Sequence, residues 1–286
     1  MTTVSIEQIL TRSSELSSLP ESVAQLNELM QKENVNISEI SDIVSSDPVL
    51  SARILKTVNS PFYAFPTTID TIAYAVTILG IDSIRYLAVT STVISNFAKH
   101  RNSIFPLESF WRHSFATAVI AQQLSKAIKS PQQERLFTCG LLHELGGLLI
   151  GMSEPDLYRQ IISNANQNKT SMSDAEKELL GFTHYDVTAA LLDLWRLPVS
   201  ISQTIKHIQH PEQNQLYVQD SAVLSIADAV ASAIFPSIRL IDHELKLESR
   251  NITLAGVKAH QLNQILDELD NLVDGAMQGL LIDMAA

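Results

Sequence analysis

Cysteine is almost absent from this sequence of 286 residues, since Cys139 is the only one. A single thiol excludes a disulfide within the chain and is typical of proteins from a reducing compartment. Cys139 lies in an apolar run, which favours a buried and unreactive thiol. We therefore expect a cytoplasmic protein that no internal cross-link holds together.

Positive charge is also scarce. Lys and Arg number 20 against 31 Asp and Glu, so the formal net charge is -11, and the Lys and Arg residues occur only as scattered pairs. Proteins that bind nucleic acids or anionic membranes usually carry a basic patch. We therefore expect no nucleic-acid partner and no membrane partner.

Sequence signals for the membrane are missing as well. Residues 1–9 lack the basic start and the apolar run of a signal peptide. The apolar runs elsewhere end well before the ~18 residues that a membrane span requires. The sequence predicts a protein that neither enters nor crosses a membrane.

Alternation of polar and apolar residues, the pattern of a β-strand, is not found, and neither are repeats or low-complexity segments. Instead, apolar residues recur at helical spacing in nearly every segment, for example at Val23, Leu26, Leu29 and Met30. The sequence therefore predicts an all-α fold.

Local signals predict where several helices begin and end. Asp47-Pro48 has the residue types of an N-cap and a first-turn proline, and Asn59-Ser60-Pro61 ends the helix that they open. Gly80 is predicted to join two helices. These signals divide the first hundred residues into short helices.

A polar connector at residues 99–106 is the best candidate for a domain boundary. It predicts an N-terminal helical subdomain over residues 1–100. Residues 101–286 would form a second helical subdomain that includes the C-terminal helices.

The most informative feature is the adjacent pair His143-Glu144, which stands between two apolar runs. Burying an ionised carboxylate costs several kcal/mol unless it is hydrogen-bonded, paired or bound to a metal ion, so the pair needs partners. Neighbouring residues lie about 100° apart on a helix and can turn toward one site. Distant residues that could complete such a site are His113, His184, His207, His210 and Asp228.

The run from Ile43 to Pro61 resembles the signature of HDOD domains. The resemblance continues at Ile69 to Ala75, at Leu79-Gly80, and from Gly181-Phe182-Thr183-His184 to Leu194-Trp195-Arg196-Leu197-Pro198; it covers roughly Leu19 to Ile234. It implies an all-α, HD-domain-like helical bundle with an additional N-terminal helical subdomain. HDOD proteins are regarded as signalling relatives of HD-superfamily phosphohydrolases.

The resemblance also implies a set of metal ligands. The ligand positions of HD hydrolases fall on His113, His143, Glu144 and Asp228, and their ion would be a divalent transition metal such as iron, manganese, nickel or zinc. The two-metal HD-GYP phosphodiesterases have further histidines, which His184 and His210 resemble.

The sequence departs from those enzymes at four places. Glu144 replaces an aspartate, Gly147 stands where a lysine would steady a phosphate, Gln209 replaces one of two adjacent histidines, and the Gly-Tyr-Pro motif is missing. These departures favour a signal-transduction protein without catalytic turnover that acts through contacts with signalling proteins. The alternative is a metal-dependent phosphohydrolase with a modified HD site.

Simpler interpretations remain open for these residues. His143-Glu144 could be a hydrogen-bonded core pair, and His207 and His210 could bond to a helix end. Arg53 and Lys56 could form a partner or anion surface, whereas Trp111 and Trp195 are expected in the core.

A third function is an oligomerisation scaffold. The helical tail at residues 254–284 would then make the contacts of a homo-oligomer.

Overall fold

The computed structural model describes residues 4–14, 18–32, 34–98, 106–237 and 247–280. Every regular element in these ranges is a helix and none is a strand, so the prediction of an all-α fold is confirmed. The α-helices are α1 (Ile6–Arg12), α2 (Glu21–Leu29), α3 (Ile37–Ser45), α4 (Pro48–Val58), α5 (Ile72–Leu79), α6 (Ile81–Ala98), α7 (Leu107–Ala127), α8 (Gln133–Leu142), α9 (Leu145–Ser153), α10 (Pro155–Asn168), α11 (Met172–Leu180), α12 (His184–Leu194), α13 (Val199–Lys206), α14 (Val218–Ile234), α15 (Ser249–Ala255) and α16 (Ala259–Leu280).

The predicted start of α4 is found in the structure. The carboxylate of Asp47 accepts hydrogen bonds from the backbone N–H groups of Val49 and Leu50 at 3.1 and 3.0 Å, and Ser22 donates to it at 2.9 Å. These bonds, of which that from Leu50 is the strongest, hold the pKa of Asp47 below its ordinary value. Asp47 is therefore the N-cap of α4, as predicted.

The predicted joint between α5 and α6 is also found. Gly80 has φ +86°, in the region that favours glycine, and the two helices bend by 118° about it. A side chain at this position would strain the backbone, which explains why a glycine marks the joint.

The chain forms two compact units. The larger unit comprises residues 1–17 and 101–267, and the smaller unit comprises residues 18–100 and 268–286. The sequence analysis instead kept residues 1–17 with the N-terminal subdomain and the whole tail with the second one. Residues 99–105 of the predicted connector at 99–106 lie outside the described residues, so as a domain boundary it stays a prediction.

Specific contacts explain why residues 1–17 belong to the larger unit and the end of the tail to the smaller unit. Helix α1 packs on α9 and α12, and Arg12 pairs with Glu154 at the end of α9. Near the other end, Thr57 donates to the carbonyl of Gly279 at 3.1 Å within the smaller unit. Helical periodicity shows which face of a helix is apolar but not which distant helix covers it.

The smaller unit is built on α2 to α6 and includes buried polar contacts. Arg85 is buried and its Nε donates to Asn27 Oδ1 at 2.9 Å. The side-chain amide of Asn59 bonds to the backbone N–H and C=O of Ile69 at 2.8 and 2.7 Å. Asn59 therefore ends α4 and fixes the following loop. A partner surface at Arg53 and Lys56 stays a prediction.

The larger unit has α7 as its central helix. Phe110, Trp111 and Phe115 of this helix are fully buried, and α8 and α14 pack against α7 and against each other. Trp195 is also buried, so both tryptophans lie in the core as expected. This packing brings the predicted site residues of α7, α8 and α14 into one region.

The helical segment Gln133–Ser153 has the length and hydropathy of a membrane span, which the sequence analysis did not expect. The window that passes is 83% buried inside the structure, as is typical of a core helix in a soluble protein. The pair α5 and α6 passes the same test only as one span bent by 118°. The cytoplasmic location stays a prediction.

We predict that Gly140→Ala destabilises the larger unit. A Cβ at this position would lie 2.5 Å from the Cα and 2.6 Å from the backbone N of Ala118, so α7 and α8 would have to separate. We expect the free energy of unfolding to fall by about 3 kcal/mol, measured by urea denaturation.

The matched control is Gly275→Ala in α16, where no atom lies within 4 Å of the added Cβ. Alanine favours a helix over glycine by about 1 kcal/mol, so this variant should be as stable as the original chain or slightly more stable. Equal stability of the two variants would contradict the close packing of α7 on α8.

Candidate metal centre

Three helices of the larger unit bring four potential metal ligands together. His113 comes from α7, His143 and Glu144 follow α8, and Asp228 comes from α14. One ligand atom from each of the four lies within 4.8 Å of the others. The structure thus assembles the four residues that the resemblance to HD hydrolases implies as ligands, and we call them the metal group.

His143 and Glu144 lie at the joint between two helices. Helix α8 ends at Leu142 and α9 begins at Leu145. The Thr188 hydroxyl donates to the carbonyl of His143 at 2.9 Å and accepts from the N–H of Gly146 at 2.8 Å. One side chain of α12 thereby supplies the backbone hydrogen bonds that the joint would otherwise lack.

Gly146 allows α12 to approach this joint. A Cβ at Gly146 would overlap the backbone carbonyl of His184, the first residue of α12. The absence of a side chain at Gly146 is therefore a condition for the position of Thr188.

The hydrogen bonds of the two histidines determine which ring nitrogen faces the metal group. His143 Nδ1 lies 2.7 Å from the carbonyl oxygen of Gly140, and His113 Nδ1 lies 3.1 Å from that of Phe235. A carbonyl oxygen only accepts, so both Nδ1 atoms carry the proton. In the neutral rings both Nε2 atoms therefore present a lone pair, as metal ligands do.

These lone pairs face other acceptors. The two Nε2 atoms lie 3.3 Å apart. Asp228 Oδ1 lies 3.2 Å from His113 Nε2 and 3.3 Å from His143 Nε2. Glu144 Oε1 lies 3.8 and 4.0 Å from the same two nitrogens. The Ser232 hydroxyl donates to Asp228 Oδ1 at 3.4 Å, but the four acceptors still repel one another unless a proton or a cation lies among them.

The pKa directions agree with this need for positive charge. Burial alone would lower the pKa of His113, but its bond with Asp228 and the charge of Glu144 outweigh burial and raise it. Burial would raise the pKa of Asp228, but the bonds with His113 and His143 hold it well below its ordinary value. Asp228 is therefore a carboxylate that attracts a cation.

The spacing of the atoms fits a tetrahedral dication. Bonds of about 2.0–2.1 Å to zinc place neighbouring ligand atoms of a tetrahedron about 3.3–3.4 Å apart. The distances of 3.2 to 3.3 Å among His113, His143 and Asp228 match this spacing, whereas Glu144 lies farther away. Two imidazoles and two carboxylates are also a donor set that transition metals accept.

The carboxylates form the open side of the metal group. The side chains of Glu144 and Asp228 are 13% and 17% exposed, whereas those of His113 and His143 are 1% and 0% exposed. A cation or a small molecule would therefore meet the carboxylates first.

Tyr185 is a partner of the metal group that the sequence analysis missed. Its hydroxyl donates to Asp228 Oδ2 at 3.0 Å, and its ring is nearly parallel to that of His143. Burial and the charge of Asp228 raise the pKa of Tyr185 well above its ordinary value, so the hydroxyl keeps its proton.

His184 lies outside the metal group and pairs with Glu176 of α11. Its Nδ1 lies 2.6 Å from Glu176 Oε2, and its backbone N–H donates to the same oxygen at 2.8 Å. Burial alone would lower the pKa of His184, but the charge of Glu176 and its hydrogen bond raise it to about 9. Its Nε2 is buried without a partner, so a role as metal ligand stays a prediction.

His210, the other histidine that resembles the further ligands of HD-GYP enzymes, is also outside the metal group. Its side chain is 61% exposed, and its Nδ1 lies 3.7 Å from Glu212. His207 bonds through Nδ1 to the carbonyl of Gln203 at 2.9 Å, which is the helix-end contact that the sequence analysis left open. Gln209 donates to Ser173.

Comparisons with known proteins show which family the chain matches. The family model of the HDOD domain matches residues 16–211. A solved structure from Shewanella amazonensis SB2B, titled "Putative phosphohydrolase", is 29% identical, with 95% of this chain and 96% of that chain covered and a TM-score of 0.71. An HDOD domain protein from Geobacter sulfurreducens is 22% identical, with 97% and 100% covered and a TM-score of 0.72.

A curated protein from Treponema pallidum (strain Nichols) is 22% identical over 254 residues. The matched region is 86% of this chain but 47% of the relative. This chain therefore spans about half the length of that relative.

The pair formed by His184 and Glu176 predicts a pH-dependent stability. Because the pKa of His184 is raised from 6.5 to about 9, its contribution is complete below pH 6.5 and is lost as the pH rises through about 9. Without metal, the free energy of unfolding should exceed that of Glu176→Gln by up to about 3 kcal/mol at pH 6. Urea denaturation from pH 6 to 10 should show this difference shrinking.

Glu178→Gln is the matched control, since Glu178 is an exposed acid on the same helix. This variant should follow the original chain at every pH. A constant difference between the original chain and Glu176→Gln across the range would contradict a charged pair.

Proposed function

Because the chain belongs to the HDOD family, we propose that it is a regulatory protein that acts through contacts with signalling proteins. Its larger unit would hold one divalent transition-metal ion, such as iron, manganese, nickel or zinc, at His113, His143, Glu144 and Asp228. The observation that carries the metal proposal is the convergence of two imidazole Nε2 atoms, 3.3 Å apart, and two carboxylate oxygens that each lie 3.2 to 4.0 Å from both nitrogens. A homo-oligomer formed through the C-terminal helices is a further proposal.

The charge of the metal group supports regulation over turnover. Two carboxylates and two neutral imidazoles carry a charge of -2, which one dication neutralises. An anionic phosphate ester would therefore have the metal ion as its cationic partner within this group, whereas phosphoryl transfer usually uses several cationic groups.

A metal-dependent phosphohydrolase is the second candidate. Its support is the partial exposure of Glu144 and Asp228 and the 29% identity to the Shewanella structure titled "Putative phosphohydrolase". A dication at such a site can polarise a phosphate oxygen and lower the pKa of bound water. Glu144 lies farther from the two Nε2 atoms than Asp228 does, so its carboxylate is the ligand that a small molecule would replace most easily.

Metal content tests the proposed site. Elemental analysis of the purified, dialysed protein should find about one transition-metal ion per chain, and His143→Ala should lose it because His143 Nε2 lies within 3.3 Å of two other acceptors. His210→Ala, which removes an exposed imidazole outside the metal group, should keep it. A folded original chain that takes up none of the four metals would contradict the site.

Phosphoester hydrolysis separates the two candidate functions. With metal bound, the protein should hydrolyse a panel of phosphate monoesters and diesters no faster than His143→Ala does. Turnover by the original chain and His210→Ala that disappears in His143→Ala would contradict the regulatory proposal and support the phosphohydrolase.

A further inference from the structure

Asp228 has two carboxylate oxygens with different partners. Oδ1 faces His113 Nε2 and His143 Nε2 at 3.2 and 3.3 Å and also accepts a longer hydrogen bond, of 3.4 Å, from the hydroxyl of Ser232. Oδ2 accepts the hydroxyl proton of Tyr185 at 3.0 Å. One oxygen therefore belongs to the metal group, and the other is engaged outside it.

The backbone of Tyr185 is positioned by the start of α12, and its ring by packing near His143. Tyr185 is the second residue of α12, and that helix begins with a capping box between Thr183 and Asp186. The Tyr185 ring lies 6.3 Å from the ring of His143 at an angle of 19°. Thr188 of the same helix binds the joint that carries His143 and Glu144. The hydroxyl of Tyr185 is thus positioned by the same helix that orders two of the proposed ligands.

We propose that Tyr185 is a positioning residue of the metal group, because its hydroxyl occupies Asp228 Oδ2 and leaves Asp228 as a ligand through one oxygen. The inference rests on the proposed metal site. A free carboxylate can bind a cation through one or both oxygens. Tyr185 would remove that choice and preserve the spacing of a four-coordinate site.

Tyr185→Phe tests this role because it removes one oxygen atom and keeps the ring that packs near His143. Partners that orient metal ligands typically contribute 10–100-fold to metal affinity. We expect Tyr185→Phe to bind zinc about 10–100-fold more weakly than the original chain, measured by competition with a chelator of known affinity.

The matched control is Tyr217→Phe in the same unit. The Tyr217 ring lies beneath the guanidinium of Arg135 at 5.6 Å, a contact that phenylalanine keeps. This variant loses the same atom away from the metal group, so its zinc affinity should equal that of the original chain.

Cobalt(II) supplies a spectroscopic readout that a purely structural role would not change. Four-coordinate cobalt absorbs visible light far more strongly than cobalt with more ligands. If Asp228 gains freedom to bind through both oxygens, the visible absorption of cobalt-loaded Tyr185→Phe should fall, and that of Tyr217→Phe should not. Thermal unfolding of the metal-free variants measures any general loss of stability separately.

The outcomes separate this inference from the proposed function. Equal zinc affinity and an equal cobalt spectrum in Tyr185→Phe and the original chain would overturn the role of Tyr185 and leave the metal site standing. A lower melting temperature of metal-free Tyr185→Phe with unchanged zinc affinity would also overturn it. If the original chain binds neither zinc nor cobalt, both the site and the role are overturned.

Discussion

The mutual repulsion of four hydrogen-bond acceptors is the constraint on which the larger unit depends. The two Nδ1 atoms of His113 and His143 are committed to backbone carbonyls, so the Nε2 atoms cannot both avoid Asp228 and each other by changing tautomer. A proton on His113 satisfies part of this arrangement, and a dication satisfies all of it. The helices α7, α8 and α14 must therefore pack closely enough to hold together groups that on their own would separate.

Close helix contacts provide that packing, and they depend on missing side chains. Gly140 lets α8 lie against α7, and Gly146 lets the start of α12 lie against the joint after α8. The second contact also places the Thr188 hydroxyl between the carbonyl and the N–H of the joint. Because interiors are tightly packed, small changes at these contacts would move the ligands themselves. The polar centre and the apolar core thus depend on each other.

The sequence was informative where a signal is local or repeats at helical spacing. Asp47 caps the helix that begins at the next residue, and Gly80 joins two helices that directly adjoin it. The all-α fold follows from the helical spacing of apolar residues. The metal group was predicted because ligand-type residues stood at positions that a known family uses. Tyr185 and Glu176 were missed because their importance lies in contacts with Asp228 and His184, and no local pattern indicates which distant side chain a buried hydroxyl or carboxylate will meet.

The unequal exposure of the metal group has a consequence for its contact with solvent. The side chains of Glu144 and Asp228 are partly exposed, whereas those of His113 and His143 are enclosed. An ion held by all four residues would therefore have its nitrogen ligands inside the fold and its oxygen ligands toward water, so the two kinds of ligand would differ in how easily an outside molecule could replace them.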